Sequence, residues 1–410
     1  MFSNAWHASI ISSPLTRNRR ANTMAPNLID LRWSHDPRTP DAASDQLRAD
    51  CATLGIQAFD MYGDYANEAS WLQRFQAEVA TRLGFDRALF VPSGVMAQNI
   101  ALKVYEETSG RSSFAARYNS HLFLHEHDAY KHVLHLDARV LPASAADVQA
   151  AATFDDVKII LESDDLPAVL FLELPEREIG GKCIAFDDLV RISEAVRAKG
   201  IALHMDGARL WEAEANYAAH GHSLHDVTAL FDSVYVSFYK GLGAITGAML
   251  LGSSDFIDAS KVWLRRFGGN LYSQLPYAAS SWAGFRAFPA SVFAARRLQL
   301  QTVVAAVSAA VPSSVVVFDP PVPEVPLVHV HLFGQLDDIK RAQEMAEAAS
   351  GVRCFVMARP FRTGAGVVVA NRYYFEMNMG VWNLSIPAAT WVKGWTAFAT
   401  AMADVTAATA

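Results

Sequence analysis

The stretch Val234-Tyr235-Val236-Ser237-Phe238-Tyr239-Lys240-Gly241-Leu242-Gly243 decides the fold, because a short apolar run there leads into a lysine followed by Gly-x-Gly. A second stretch, Ile201-Ala202-Leu203-His204-Met205-Asp206-Gly207-Ala208-Arg209, has the same form and leads into an aspartate. Lys240 and Asp206 stand 34 residues apart. Each apolar run is typical of a buried strand, so each of these two side chains is predicted at a strand end.

A lysine at a strand end is a good Schiff-base candidate, and an aspartate in such a place can face the nitrogen of a pyridine ring. This pair is the recurring protein signature of pyridoxal phosphate (PLP) enzymes. Asp206 has an alternative role as the N-cap of the helix that follows it. Arg209 is either a surface residue of that helix or a bidentate anchor for a substrate carboxylate.

Predicted strands and helices alternate through most of the chain, which predicts an α/β fold with a mostly parallel, doubly wound sheet and helices on both faces. The predicted strands are Ala88–Val91, Ala168–Leu172, Ile201–Met205, Ser233–Ser237 and Gly247–Leu251, and the predicted helices are Glu68–Leu83, a helix from Ser93 to about Tyr105, Asp187–Lys199 and Arg209–Ala219.

The order changes near residue 290, and the remainder predicts a smaller α+β unit. Its predicted parts are a helix Ser291–Ala310, a proline-rich connection Val317–Pro326, strands Val328–Phe333, Cys354–Met357 and Val367–Phe375, and helices Asp337–Ala349 and Pro387–Ala403. We therefore expect a large domain over residues 28–290 and a small C-terminal domain over residues 291–410.

Composition excludes several classes of protein. With 410 residues, 51% hydrophobic and 19% charged, the chain is globular and long enough for two domains. A formal net charge of −7 gives no general attraction to nucleic acid or to anionic membranes. No run is long and apolar enough for a membrane helix. Three cysteines without a CxxC motif indicate neither disulfides nor zinc, and favour a reducing, cytoplasmic location.

The first residues, Met1–Asn27, lack any acid and carry Arg17, Arg19 and Arg20. This composition is typical of a transit peptide, so mitochondrial targeting stays open. The alternatives are a disordered extension or an upstream start codon, with the true start at Met24.

The turn Ser93-Gly94-Val95 follows a predicted strand and opens a helix, where backbone N–H groups and the helix dipole suit a dianionic phosphate. Its alternative is a simple helix cap. Ligands of doubly wound sheets bind outside the carboxyl ends of the strands. We therefore expect this turn, Asp206 and Lys240 to meet in one crevice.

The segment Asn119–Asp128 is rich in histidine, with His121 and His125 at i, i+4. No HExxH motif and no third ligand accompany them, so we predict no metal site. A histidine stacked on the face of the pyridine ring is the favoured interpretation for one of them.

Together these residues resemble the low-specificity threonine aldolases of the β-eliminating lyase group. The resemblance runs in order from about residue 29 to residue 280, and it implies a fold type I PLP enzyme that acts on a small amino acid as a homodimer or homotetramer with shared active sites. It implies that Lys240 carries PLP, that Asp206 contacts the ring nitrogen and that His121 stacks on the ring. The predicted cofactor-binding residues are Ser93, Gly94, Val95, His121, Asp206, Arg209, Ser237 and Lys240, and the predicted substrate-binding residues are Arg209, Ser34 and, outside the family pattern, Arg372.

The chain departs from the family pattern in the motifs that contact the substrate. The family's Asn-Thr-His run is replaced by Leu174-Pro175-Glu176, and its Tyr-Gly-Glu-Asp-Pro motif by 62–66, Tyr-Gly-Asp-Tyr-Ala. A C-terminal arginine that would bind the substrate carboxylate is absent from Tyr374–Asn378, so Arg372 is the candidate substitute. These departures leave the cofactor residues intact and place the choice of reaction in question.

The first hypothesis is a PLP-dependent lyase that cleaves the Cα–Cβ bond of a β-hydroxy-α-amino acid, giving glycine or a related amino acid and an aldehyde. Glu176 or a histidine of the segment 121–127 would take the hydroxyl proton. The alternatives are β-elimination, racemisation or transamination on the same scaffold, and a PLP-binding protein without turnover.

Overall fold

The computed structural model describes residues 28–32, 34, 38–63, 67, 69–141, 149–363 and 366–409. The predictions for residues 1–27 lie outside this range, as do Asp64, Tyr65 and Ala66 of the departing motif. No helix within the described ranges is long and apolar enough to cross a membrane. The cytoplasmic location stays a prediction.

Thirteen strands form three sheets in the described part of the chain. In chain order they are β1 Ile29–Asp30, β2 Arg87–Val91, β3 Ser113–Arg117, β4 Asp137–Leu141, β5 Val169–Glu173, β6 Ala202–Gly207, β7 Ser233–Ser237, β8 Ala248–Gly252, β9 Val316–Asp319, β10 Leu327–Phe333, β11 Val352–Arg353, β12 Arg359–Arg362 and β13 Val368–Asn378. The largest sheet has the order β2-β8-β7-β6-β5-β3-β4, and β8 alone among its strands runs opposite to the others.

The central strands of this sheet are buried on both faces, because their residues alternate between two apolar cores. Leu170 and Leu172 pack on one face, while Val169 and Phe171 pack on the other. A strand that is covered on both faces has a nearly continuous apolar sequence, and for this reason these strands could be predicted from the sequence. The predicted α/β class with a mostly parallel sheet is confirmed.

Helices cover both faces of the large sheet and one side of the smaller unit. They are α1 Pro40–Leu54, α2 Trp71–Leu83, α3 Gly94–Ser109, α4 His121–Leu124, α5 Ala129–His132, α6 Phe154–Leu161, α7 Phe186–Ala198, α8 Leu210–Ala219, α9 Leu224–Thr228, α10 Ser254–Arg266, α11 Leu275–Ala287, α12 Ala290–Ala310, α13 Leu336–Ser350 and α14 Ala388–Thr409. The start predicted at about Glu68 lies outside the described residues, and the described helix begins at Trp71. Ser70 caps this helix, since its side chain accepts a hydrogen bond from the Gln73 N–H at 3.3 Å.

The smaller unit is an antiparallel sheet of order β12-β13-β10-β9 with its own core beneath α12, α13 and α14. The strand β1 pairs in parallel with β11, and Leu31 packs in this same core. The strand β1 and Leu31 therefore pack with the smaller unit, while the start of the large domain at residue 28 stays a prediction. Helix α12 packs in both cores, because Phe293 lies in the core of the large sheet and Leu300 lies in the core of the smaller unit. The boundary near residue 290 stays a prediction.

Two predictions for this unit are wrong. Cys354–Met357 is not a strand, because the chain pairs with β1 only at Val352–Arg353 and then turns inward, where the Phe355 ring lies 5.1 Å from Phe375 and 6.0 Å from Trp395. The proline-rich connection begins inside β9. That strand ends at Asp319, before Pro320, which cannot donate a ladder hydrogen bond.

Candidate active site

One edge of the large sheet collects the chemically active side chains. Because β2, β6 and β7 run in the same direction, their carboxyl ends meet there, and Ser93, Asp206 and Lys240 lie at or just beyond those ends. Strands β3 and β5 end at the same edge and lead into His121 and Arg177. The crevice at this edge is where open α/β sheets bind ligands.

Lys240 follows β7 in a tight turn that the next residue makes possible. A Cβ added to Gly241 would lie 2.8 Å from Glu212 Oε1 and 3.1 Å from the Phe293 ring, so glycine lets this turn pack closely against α8 and α12. Burial lowers the pKa of Lys240, the charge of Asp206 opposes that shift, and Arg209 adds to it. A lowered pKa favours the neutral amine, which is the form that attacks a carbonyl carbon.

Asp206 lies within β6 and is 3% exposed. Its Oδ1 accepts a hydrogen bond from the Ala208 N–H at 3.1 Å, and its Oδ2 accepts one from Gln98 Nε2 at 2.8 Å. Helix α8 begins at Leu210 with Arg209 in the N-cap position. The alternative in which Asp206 caps this helix is therefore wrong, and its buried carboxylate is held at the sheet edge instead.

The turn before α3 combines a cap with a close approach of the backbone. Ser93 is the N-cap, and its Oγ accepts a hydrogen bond from the Met96 N–H at 3.3 Å. A Cβ on Gly94 would lie 1.9 Å from the Tyr235 hydroxyl, so a side chain at this position would require either Tyr235 or the amino end of α3 to move. Val95 is half-buried in the same first turn. The amino end of this 16-residue helix faces the crevice edge, where its dipole favours an anion.

His121 begins the short helix α4, and its Nδ1 lies 2.8 Å from Glu126 Oε1. The same oxygen accepts a hydrogen bond from Gln98 Nε2 at 3.0 Å. The His125 ring lies 5.1 Å from the His121 ring, and its Nε2 lies 2.7 Å from Glu178 Oε1. Among the described side chains, no group of three or more His, Cys, Asp or Glu is arranged to hold a metal ion.

Arg209 joins the large sheet to the smaller unit. Its Nη1 donates to Glu212 Oε1 at 3.0 Å and to Asn378 Oδ1 at 3.2 Å, while its Nη2 lies 3.7 Å from Glu376 Oε2. Burial lowers the pKa of Arg209, but the carboxylates of Glu212 and Glu376 raise it more, so its pKa lies above the usual value. Its Nε is buried and has no partner among the described residues.

This set of side chains fits PLP. Lys240 supplies the amine, Asp206 an acid for the ring nitrogen, and His121 an imidazole for the ring face. The amino end of α3, which begins at Gly94 with Ser93 as its N-cap, suits the phosphate.

A model of the beta-eliminating lyase family matches residues 47–370. The chain belongs to the beta-eliminating lyase family. Aldolase vrtJ from Penicillium aethiopicum is 33% identical over 279 residues, which cover 65% of this chain and 67% of vrtJ. Low-specificity L-threonine aldolase 1 from Arabidopsis thaliana is 28% identical over 212 residues, which cover 48% of this chain and 55% of that protein.

Solved structures agree with this membership of the beta-eliminating lyase family. A candidate L-allo-threonine aldolase from Listeria monocytogenes EGD-E is 31% identical with a TM-score of 0.78, over 92% of this chain and 97% of that one. A serine palmitoyltransferase from Sphingomonas wittichii, at 12% identity and a TM-score of 0.61, shares the fold alone. The predicted resemblance, the fold type I architecture and the assignment as a PLP-dependent lyase are confirmed. The matches also support cleavage of the Cα–Cβ bond of β-hydroxy amino acids.

Glu176, predicted as a base for the substrate hydroxyl of this family member, lies in a buried ion pair with Arg117. Its Oε2 also accepts a hydrogen bond from Asn119 Nδ2 at 3.1 Å, and its Oε1 accepts one from the Ala152 N–H at 2.6 Å. Burial raises the pKa of Glu176, and Arg117 opposes that shift. Both oxygens are occupied by these contacts, so the structure argues against Glu176 as the base.

Arg372, the predicted substitute for the family's missing arginine, lies on the same face of β13 as Glu376. Four residues along a strand separate the two by about 14 Å. Its Nε donates to His331 Nδ1 at 3.3 Å, and its guanidinium lies 3.9 Å from the centre of the Phe361 ring. This position argues against Arg372 as a partner of Arg209.

Two further predicted serines, Ser237 and Ser34, form hydrogen bonds with the backbone of other segments. Ser237 is fully buried, and its hydroxyl donates to the Ala208 carbonyl at 2.6 Å, which fixes the turn after Asp206. The carbonyl of Ser34 accepts a hydrogen bond from the Trp382 N–H at 3.3 Å, and a Cβ on Gly380 would lie 2.0 Å from that carbonyl. Ser34 therefore packs against the loop that follows β13.

Four further residues of the site were not identified from the sequence: Gln98, Glu126, Arg177 and Glu376. Arg177 stands just after β5, at the same edge as Lys240, and its Nε forms an ion pair with Glu376. Its Nη1 donates to Glu178 Oε1 at 2.9 Å. The position of Arg177 beyond a strand end was a usable signal, whereas the contribution of Glu376 depends on the packing of the smaller unit.

Proposed function

We propose that this lyase carries PLP on Lys240 and cleaves the Cα–Cβ bond of a β-hydroxy-α-amino acid, releasing an aldehyde and glycine or a related amino acid. The observation that carries the proposal is the meeting of Ser93, Asp206 and Lys240 at one edge of the parallel sheet. When bound, PLP accepts the electrons of a bond broken at Cα.

The residues of the chain hold the cofactor and transfer protons in this proposal. Asp206 keeps a proton on the ring nitrogen, since its buried carboxylate is a strong acceptor there. The amino end of α3 binds the phosphate, and His121 covers the ring face. Lys240, with its pKa lowered by burial, exchanges protons near Cα once its amine is released.

Arg209 anchors the substrate carboxylate in this proposal. Its Nη1 is engaged by Glu212 and Asn378, its Nη2 lies 3.7 Å from Glu376 Oε2, and its Nε has no partner among the described residues, so a substrate carboxylate would share the Nε–Nη2 edge with Glu376. Arg177 lies on the other side of Glu376 and adds positive charge to the same region. A fixed carboxylate would orient the substrate, and this orientation would decide which bond at Cα is broken.

His121 takes the hydroxyl proton of the substrate. Among the described residues its Nδ1 has a carboxylate partner and its Nε2 has none, so Nε2 is the atom able to accept a proton. This assignment replaces Glu176, whose oxygens are occupied by Arg117, Asn119 and the Ala152 N–H.

We also retain the predicted homodimer or homotetramer. Three exposed side chains lie close together, with the Tyr62 and Tyr272 rings 5.3 Å apart and the Tyr272 hydroxyl 3.6 Å from the Met61 sulfur, and Phe59 of the same segment is exposed as well. An exposed apolar cluster of this kind favours association with a second copy. Light scattering at several protein concentrations tests this proposal, and a strictly monomeric active enzyme would contradict it.

The activity is tested with PLP-loaded protein, threonine and phenylserine, followed by assays for aldehyde and glycine. We expect both products, together with a visible absorbance band that disappears in Lys240→Ala. If the wild type has no band, the cofactor assignment fails. If the band is present but exchange of the Cα proton occurs without aldehyde, racemisation replaces the lyase assignment.

A further inference from the structure

We propose that Glu126 is a positioning residue that fixes which ring nitrogen of His121 carries the proton, and that Gln98 connects this pair to Asp206. The inference rests on the proposed function, because it concerns the base and the acid of the same site. It adds two residues, Glu126 and Gln98, that the sequence motifs did not indicate.

Three hydrogen bonds link the four side chains in a row. Gln98 Nε2 lies 2.8 Å from Asp206 Oδ2 and 3.0 Å from Glu126 Oε1, and Glu126 Oε1 lies 2.8 Å from His121 Nδ1. Gln98 is 1% exposed, Asp206 3% and Glu126 6%. Water therefore does not compete for the two bonds of Gln98, which are stronger than they would be at the surface, while the third bond has one partly exposed partner, His121.

The orientation of the Gln98 amide follows from its neighbours. An amide nitrogen has two hydrogens, and here carboxylate oxygens from Asp206 and Glu126 both lie within hydrogen-bonding distance of it. The flipped amide would place its oxygen against both carboxylates, which is repulsive. Gln98 therefore donates to both acids and holds them apart.

Glu126 determines the tautomer of His121 in turn. A carboxylate that accepts from Nδ1 keeps the proton on that nitrogen, and Nε2 then presents a lone pair. His125 is engaged through its other ring nitrogen, because its Nε2 lies 2.7 Å from Glu178 Oε1 and 3.2 Å from Arg177 Nη1. Of the two neighbouring histidines, His121 is thus the one whose Nε2 is left for a substrate.

The charge of Glu126 depends on the groups that face it. Burial raises the pKa of Glu126, the hydrogen bond from His121 lowers it, and the charge of Asp206 raises it again. The titratable groups that face this carboxyl are His121 and His125 from its own segment, Asp206 from β6, Tyr235 from β7 and Tyr239 from the turn after β7. A change at Glu126 is therefore transmitted to both ends of the row.

Two variants test the proposal. Glu126→Gln keeps an oxygen for the Nδ1 proton but removes the charge, whereas Glu126→Leu removes both. We expect Glu126→Leu to retain PLP and to lose about 10-fold to 100-fold in kcat/KM, by analogy with other histidines that lose a second hydrogen-bond partner. We expect Glu126→Gln to stay within a few-fold of wild type and to move the acid limb of the kcat/KM profile to lower pH, because a neutral amide no longer stabilises a protonated imidazole.

The visible absorbance of bound PLP, titrated against pH without substrate, gives a readout independent of turnover. Loss of the negative charge in Glu126→Gln is expected to shift its midpoint to lower pH, since the row reaches Asp206. Glu107→Gln, an exposed acid on the same helix as Gln98, is the matched control and keeps the wild-type midpoint. If both Glu126 variants reproduce the wild-type midpoint and pH profile, the proposal is overturned, while an intact PLP band and aldehyde release leave the proposed function standing.

Discussion

Arg209 Nη2 lies 3.7 Å from Glu376 Oε2, so the arginine assigned to the substrate carboxylate already faces a carboxylate of the protein. We predict that Arg209→Lys raises KM for the amino acid substrate about 10-fold to 100-fold, because lysine cannot form the paired hydrogen bonds of a guanidinium. Steady-state kinetics with threonine or phenylserine checks this. Arg286→Lys, at an exposed ion pair with Glu78, is the matched control and keeps the wild-type KM.

Glu376 competes with the substrate for the same guanidinium, which leads to an opposite prediction. In Glu376→Gln the charge that faces Arg209 and Arg177 is lost, so both arginines become available to a substrate carboxylate, and KM is expected to fall several-fold. Glu344→Gln on the exposed face of α13 is the control. A higher KM in Glu376→Gln would show that Glu376 positions the arginines rather than competing with the substrate.

The cofactor side of the site was predictable from sequence because each residue follows its own apolar run. Lys240 and Asp206 stand beyond β7 and within β6, and in a parallel sheet such ends meet without any knowledge of the side-chain packing. The local glycines near Lys240 and Ser93 add to the same signal, since each permits a close approach that the structure shows.

The substrate side was not predictable in the same way. The contact of Arg209 with Glu376 joins residues far apart in the chain, and it depends on how the smaller unit packs against the large sheet. Strand alternation does place Arg372 on the same face of β13 as Glu376. It does not reveal that Arg372 lies four residues before Glu376 and therefore too far from Arg209. Glu176 was judged from its place in a motif, and its buried partner Arg117 comes from another strand.

Glu178 gives a prediction for pH dependence. The hydrogen bond from His125 and the charge of Arg177 outweigh burial and lower the pKa of Glu178 to about 2. A carboxyl whose pKa is lower in the folded than in the unfolded state stabilises the fold at every pH above its unfolded-state pKa. This contribution is lost as the pH falls toward the folded-state pKa. Glu178→Gln should therefore lower the free energy of unfolding by about 2 kcal/mol near neutral pH, and by progressively less below about pH 4.5.

Urea unfolding of wild type and Glu178→Gln across this pH range measures the difference. Asp45→Asn, which removes a fully exposed pair with Arg48, is the control and changes little at any pH. A difference between wild type and Glu178→Gln that stays constant down to about pH 3 would contradict the assigned charge state of Glu178.

Gly94 gives the sharpest test of the phosphate turn. A Cβ there would lie 1.9 Å from the Tyr235 hydroxyl, so Gly94→Ala must displace either the tyrosine or the amino end of α3. Overpacking of this kind costs about 1–3 kcal/mol, and we expect it to raise the dissociation constant of PLP about tenfold or more.

Gly110→Ala at the other end of the same helix has φ +69° and open space around it, so it strains the backbone without touching the turn. Equilibrium titration with PLP, followed by absorbance, should separate the two variants, and adding Tyr235→Phe to Gly94→Ala should recover part of the affinity. Equal PLP affinity in Gly94→Ala and Gly110→Ala would place the phosphate elsewhere.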